Sequence, residues 1–304
     1  MKPIYKIIVP FVLLLGILSS QSVFAGDIWY VSATASVMPG NYSGSKQRNS
    51  LLSSSIILNA DYLDAFSFSV AYNNFKINFK PVNGVSSDIN QDQFAGRMQY
   101  HFFSDLFKGR LTAQLVAYDI SNDDITKLTD DVSVISPGFF YRNINKTLSV
   151  GIEYVRSKYS SNNHLVMTQW TPSFGFGFNN KADWLGFKAF LIDSSDRRLS
   201  QGEDAMKSLD IKWTHWLAPD ALLNINHFFI SVLAGQRIFA VDNDAFSVYN
   251  LADVQKGSLL AGVTWKLKYD IDITSLMGLD RYENKSINDS YNQQYLYLGL
   301  TKHW

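Results

Sequence analysis

From about residue 28 to the end of the chain, apolar and polar residues alternate with a period of two, in fourteen runs broken by polar and glycine- or asparagine-containing segments. Successive side chains of a strand point to opposite faces, so each run presents one apolar and one polar face. Residues 28–37 set Trp29, Val31, Ala33, Ala35 and Val37 against Tyr30, Ser32, Thr34 and Ser36. Residues 50–60 set Leu52, Ile56 and Leu58 against Ser53, Ser55 and Asn59. After residue 25 no apolar stretch is long enough to cross a bilayer as a helix, which needs about 20 residues.

The same pattern continues over 66–79, the 90s to 103, 110–119, 132–142, 147–157, 166–178, 183–192, 206–216, 222–235, 256–267, 271–281 and 291–304. Within 66–79 the apolar parity changes from Phe66, Phe68, Val70 and Tyr72 to Phe75, Ile77 and Phe79, which predicts a β-bulge near Asn73 and Asn74. Pro137 and Pro172 fall inside predicted strands, where each costs a ladder bond; they predict an early strand end or a bulge. The run His227 to Leu233 is apolar on both faces except at Ser231. Short connections at 61–65, 104–109, 143–146, 179–182, 217–221 and 268–270 alternate with longer ones at 38–49, 80–92, 120–131, 158–165, 193–205, 236–255 and 282–290.

Ten-residue amphipathic strands with short turns on one side and long loops on the other are what a closed transmembrane sheet requires, because lipid leaves no open edge unpaired. The expected fold is therefore all-β: one transmembrane antiparallel β-barrel over 26–304, with fourteen strands, twelve if the eleventh run or the Pro137 region is divided differently. Strict alternation puts both termini in the periplasm. Residues 1–25 read as a secretory signal, with Lys2 and Lys6 ahead of an apolar stretch and small residues before Gly26. Without it, 25 basic residues face 27 acidic ones, so no positive field points to nucleic acid. The absence of cysteine removes disulfides and thiolate chemistry. No metal-ligand spacing and no cofactor motif is present.

The last run places Leu296, Leu298 and Leu300 on one face and ends in Trp304. This resembles the C-terminal signature of bacterial outer-membrane barrel proteins, in which a terminal aromatic after alternate apolar residues is read by the assembly machinery. The resemblance implies that Leu296, Leu298, Leu300 and Trp304 form the assembly signal, and that lipids and lipopolysaccharide surround the barrel. Lys302 departs from the pattern, although a lysine near the interface can snorkel. More loosely, the aromatic-rich hairpins are similar to YaiO-type barrels and to barrels attached to polysaccharide-export proteins, which implies an envelope role linked to glycan.

Charged residues of inner parity are expected to line the lumen: Arg97, His101, Arg110, Glu153, Lys188, Asp210, Lys212, Lys256, Lys266, Asp272 and Asp280. A Lys or Arg at the lipid midplane costs about 2–4 kcal/mol. Small inner residues such as Ser32, Thr34, Ser36, Gly175, Gly177 and Gly262 suggest free volume, and Tyr30, Tyr118, Tyr295 and Tyr297 offer rings for sugars to stack on. The longest connection carries Arg237, Phe239, Asp242, Asp244, Phe246 and Tyr249, the first candidate for specificity, either folded inward as a constriction or projecting as a binding surface. The charged loop 193–204 is the second.

None of His101, His164, His215, His227 and His303 has a serine two residues later, which argues against a barrel lipase or deacylase; no catalytic residue is assigned. The expected function is passive passage of small polar or glycan-like solutes. The alternative is a structural or assembly component with a closed lumen and an envelope protein partner; a lipid-modifying enzyme comes third.

Overall fold

The structure is a computed structural model that describes residues 29–81, 88–124, 127, 129–161, 165–218 and 222–304. The signal reading of 1–25 and His164 lie outside them. The strands are β1 (Trp29–Ser43), β2 (Arg48–Tyr62), β3 (Phe66–Phe79), β4 (Ile89–Ser104), β5 (Gly109–Asn122), β6 (Val132–Asn143), β7 (Leu148–Tyr159) and β8 (Leu165–Phe178). They continue with β9 (Asp183–Ser194), β10 (Ala205–Trp216), β11 (Ile225–Arg237), β12 (Val241–Asp242), β13 (Ser247–Val248), β14 (Val254–Leu267), β15 (Ile271–Asn284) and β16 (Asp289–His303). All but β12 and β13 join in one closed antiparallel barrel of fourteen strands, and those two form a separate hairpin. The twelve-strand count is thereby excluded.

Closure runs through β1 and β16, from Ser32 opposite His303 to Ser43 opposite Asn292, and the Trp304 N–H donates to the Val31 carbonyl at 2.9 Å. No edge is left to pair with another chain. The outer face is an apolar band: Phe68, Met98, Leu115, Ile135, Ile152, Phe174, Val232, Leu259, Met277 and Leu298 are all exposed. Such a surface is unstable in water and matches a bilayer. Aromatic pairs border it: Trp29 with Tyr62 and Phe66 with Tyr100 at one end, Tyr72 with Phe94 and Tyr154 with Trp170 towards the other.

The predicted bulge at Asn73 and Asn74 is absent; β3 pairs without a slip there on both sides. The parity of its apolar residues changes because the inside of the barrel changes. Ile77 points inward into a small core with Tyr42, Leu51, Tyr282 and Tyr291, packed by Phe75 and Phe79. The two prolines neither end strands nor shift register. Beside Pro137, pairing of β6 with β7 skips from Ile135–Arg156 to Gly138–Glu153; beside Pro172, pairing of β8 with β9 skips from Trp170–Leu191 to Ser173–Lys188. Each proline is absorbed by a local opening.

Both barrel termini lie at the end bearing the turns 63–65, 105–108, 144–147, 179–182, 217–224 and 268–270. The connections at the opposite end are shorter than expected, because the strands rise further: 44–47 and 285–288 are no longer than 105–108 and 144–147 at the other end. The asymmetry is carried by 80–88, 123–131, 195–204 and above all 238–253.

Inner glycines are not empty space, contrary to the expectation from residue size. A Cβ on Gly175 would lie 2.5 Å from the Trp184 ring, one on Gly262 2.4 Å from Phe229, and one on Gly151 2.3 Å from Phe140. Tyr295 and Tyr297 likewise cover Gly278 and Gly299. Aromatic side chains, from neighbouring strands or from two residues along the same strand, lie across the gaps.

Candidate functional site

Two register slips flank the 238–253 connection: β11 and β14 pair at Ala234–Gly257 and next at Arg237–Gln255, and β14 slips against β15 at the same place. Gly235 holds φ +103° there, a conformation costly to other residues, with no room for a Cβ beside the Lys207 carbonyl. Bulges raise local twist and re-aim the chain. Here they accompany a segment that enters the lumen.

Ile238, Phe239, Ala240, Val241, Phe246 and Val248 are all buried, in one core with Val116, Ile120, Val134, Val155, Leu165, Phe190, Ile192 and Leu233 from the inner wall. Phe239 packs on Tyr159 with ring centroids 4.9 Å apart. This explains why the run His227 to Leu233 is apolar on both faces: Phe228, Ile230 and Val232 share the outward parity, while Phe229 covers Gly262 and Leu233 packs in the core with the loop.

The polar bonds of the segment reach opposite walls. On one side Tyr118 donates to Asn243 Oδ1 at 2.9 Å, and Asn243 Nδ2 donates to Ser136 Oγ at 2.7 Å and to Glu153 Oε1 at 2.6 Å. Lys188 pairs with Asp242 at 3.0 Å and with Asp244. Gln169 exchanges two bonds with the Val241 backbone, at 2.8 and 3.0 Å, as another strand would. On another side Asn73 and Gln93 donate to the Phe246 carbonyl at 3.1 and 2.7 Å, and Arg97 stands 4.5 Å from the Phe246 ring centroid. Asn250 donates to Gln91 and to the Thr129 carbonyl.

At the root of the segment, Arg237 lies 4.0 Å from the Tyr249 ring and 4.8 Å from Phe190, and donates to Gln255 at 2.6 Å. Asp253 pairs with Arg48 at 2.6 Å and accepts from Asn284 and Tyr291. The segment thus bonds strands from β2 round to β16, and its tip reaches β3, β4, β5, β6, β7 and β9. Of the six residues singled out from the sequence, Phe239, Asp242, Asp244, Phe246 and Tyr249 belong to it, folded inward, and Arg237 is the last residue of β11, at its root.

The expected lumen residues divide into two sets. Arg97, Glu153 and Lys188 meet the loop, and Asp280 is buried near its root, 3.3 Å from the Tyr282 hydroxyl. His101, Arg110, Lys212, Lys266 and Asp272 lie on the wall away from it, and Asp210 stands opposite Lys188 on the neighbouring strand. His101 bonds Ser67 and Thr112, Asp210 accepts from Ser231, Lys212 stands 4.3 Å from the Phe229 ring, and Asp272 meets His303 at 3.2 Å. Lys256 is a correction: it is the bulged residue of β14, and it pairs at 2.7 Å with Glu283, whose parity is that of the exposed Met277 and Leu279. The extra residue breaks the alternation on which its lumenal reading rested.

Tyr118 is buried under the loop, so it offers no free ring. The charged loop 195–204 stays at the rim, with Arg198 on Asp196 at 2.9 Å, Glu203 on Lys285, and Gln201 bonded to the Ala252 carbonyl. His215 lies 2.8 Å from Asp183, which also accepts from Trp213, and no hydroxyl nucleophile joins them among the described contacts. In β16, Leu296 and Leu298 are exposed, while Leu300 and Trp304 cover Ala33 and Ala35. The Lys302 ammonium turns to the Tyr269 carbonyl at 2.5 Å. Sequence reasoning missed Arg142, Trp184, Gln169 and Asn243. Arg142 had inner parity and was legible; the two amides and the tryptophan gain meaning only from the neighbours that register brings.

A closed fourteen-stranded antiparallel sheet with an apolar outer belt and an inward-folded loop has the architecture of a transmembrane β-barrel. No family model and no curated protein matches the sequence. Solved structures do match in fold. The deltaS2S3 mutant of the monoaromatic hydrocarbon channel TodX aligns at a TM-score of 0.56 and 8% identity, over 92% of this chain and 91% of that one. The toluene transporter TodX of Pseudomonas putida aligns at 0.54 and 9%, over 92% and 90%. A bacterial polysaccharide outer-membrane secretin aligns at 0.52 and 9%, over 91% and 99%. At these identities the likeness establishes the fold.

Proposed function

We propose that the protein is an outer-membrane channel for passive passage of small polar or glycan-like solutes, with the 238–253 loop as its constriction. The observation that carries this reading is the loop tip, whose Asn243, Asp242 and Phe246 are bonded to separate walls of the lumen. A barrel needing only a filled interior has no use for a separate charged hairpin, whereas a channel that selects among solutes does. Below the tip the wall carries Arg110, Lys212 and Lys266 beside Asp272, and Tyr295 and Tyr297 add rings, which favours wet, polar cargo over hydrocarbon. The purified, folded protein in a planar bilayer should give discrete conductance steps; a persistently silent bilayer contradicts the reading.

The second reading, a closed component of an envelope assembly, draws on the same loop, which bonds many strands at once. Stable co-purification of an envelope protein from gently solubilised membranes, together with a silent bilayer, would replace the first reading with this one. In either case Leu296, Leu298, Leu300 and Trp304 are proposed as the segment that the assembly machinery recognises, with lipid and lipopolysaccharide around the belt.

A further inference from the structure

Arg110 and Arg142 stand directly opposite each other on β5 and β6, both with inward parity and both exposed to the lumen near the short-turn end. Like charges opposed across a strand pair destabilise the sheet. Among the described residues neither makes an ion pair. Glu153, the nearest inward carboxylate by register, is four residues beyond the β7 partner of Arg142, Ser149, and is held by Gln114 and Asn243.

The same rung continues round the wall from Arg142 to Ser149, Gly175, Gly186 and Lys212. These three small residues in a row add no bulk of their own to this patch of wall, and the Trp184 ring lies across its glycines, 2.5 Å from where a Gly175 Cβ would be. The Arg142 guanidinium stands 5.6 Å from the Trp184 ring centroid, which fixes the arginine beside an aromatic floor. This patch of wall therefore has two guanidinium groups without an ion-pair partner at one edge, an indole floor, and Lys212 at the other edge.

We infer that this patch binds the carboxylate of an acidic sugar, with Arg110 and Arg142 holding the anion and Trp184 supporting the ring. Guanidinium groups form charge-assisted, forked bonds to carboxylates, and the anion would relieve the repulsion of the pair. The inference names a solute class for the proposed channel and rests on that reading for its purpose, but binding is measurable without conduction.

The test is calorimetric titration of the folded barrel in detergent with sodium glucuronate, with glucose as the uncharged control. The wild type should bind glucuronate saturably, more weakly at high salt, and glucose should give no comparable isotherm. The Arg110→Gln/Arg142→Gln double variant should bind at least about tenfold more weakly, and Lys46→Gln, at the far end outside the lumen, should bind as the wild type does. The single Arg110→Gln, at a strand end, serves if the double variant fails to fold; it should also weaken binding. Equal affinity in the arginine variants, no saturable glucuronate binding, or equal binding of glucose each overturns the site. A silent bilayer with intact binding would instead remove only the channel reading.

Discussion

The Asn243 amide donates to Glu153 Oε1 at 2.6 Å, joining the tip of a connection between β11 and β14 to the inner face of β7. Gln114 donates to the same oxygen at 2.9 Å, and the Asn243 carbonyl accepts from Tyr118. All of these groups are buried, so the bond exists in a medium where an unpaired partner is costly. Asn243→Ala should leave Glu153, Ser136 and Tyr118 short of a partner and loosen the tip by about 1–3 kcal/mol. The expected outcome is faster cleavage of the 238–253 segment by protease in the folded barrel, with unchanged cleavage elsewhere.

Lys188 faces two carboxylates of the loop, Asp242 and Asp244. Lys188→Gln leaves two neighbouring negative charges in the lumen without their cation. The loop should move from that wall, and the channel should shift towards cations; the reversal potential in a salt gradient reads the shift. The double change Lys188→Gln with Asp242→Asn should restore much of the original selectivity, since the net charge of the group then returns to its original value.

The rings that lie on inner glycines give a packing prediction. A Cβ on Gly278 would come 2.0 Å from Tyr295 Cζ, whereas one on Gly96 meets nothing within 4 Å. Gly278→Ala must displace the tyrosine ring and should destabilise by about 1–3 kcal/mol. Gly96→Ala should be close to neutral, and urea unfolding of the two variants in parallel gives the comparison.

Lipid-facing and lumen-facing positions alternate, so on the lipid face a charge should be costly where a larger apolar side chain is tolerated. Leu115 is exposed in the middle of β5, and Gln114 beside it is buried among inner polar groups. Leu115→Arg should cost about 2–4 kcal/mol near the midplane and reduce the folded barrel recovered from membranes. Leu115→Phe should leave yield and stability near those of the wild type.

Strand number, strand order and the facing of most residues were legible in the sequence, because lipid forces one face of every strand to be apolar. What the pattern could not show is the inside of the upper barrel. Phe75, Ile77 and Phe79 suggested a bulge, and Phe229 and Leu233 blurred a strand, because an inner wall covered by a loop also becomes apolar. The opposite error occurred at Lys256, where a real bulge moved a charge out of its expected place. Contacts such as Arg142 with Trp184 or Gln169 with Val241 join residues far apart in the chain, and no local pattern encodes them.

The central claim is that the inward hairpin limits passage through the lumen. The Tyr249 N–H donates to the Ala240 carbonyl at 2.8 Å, so the ends of the segment already lie side by side and Val241–Val248 can be replaced by two glycines without opening the barrel. Single-channel conductance of this deletion against the wild type, both verified as folded, is the most direct measurement. A clear rise in unitary conductance is the predicted result; equal conductance, or silence in both proteins, would contradict the account.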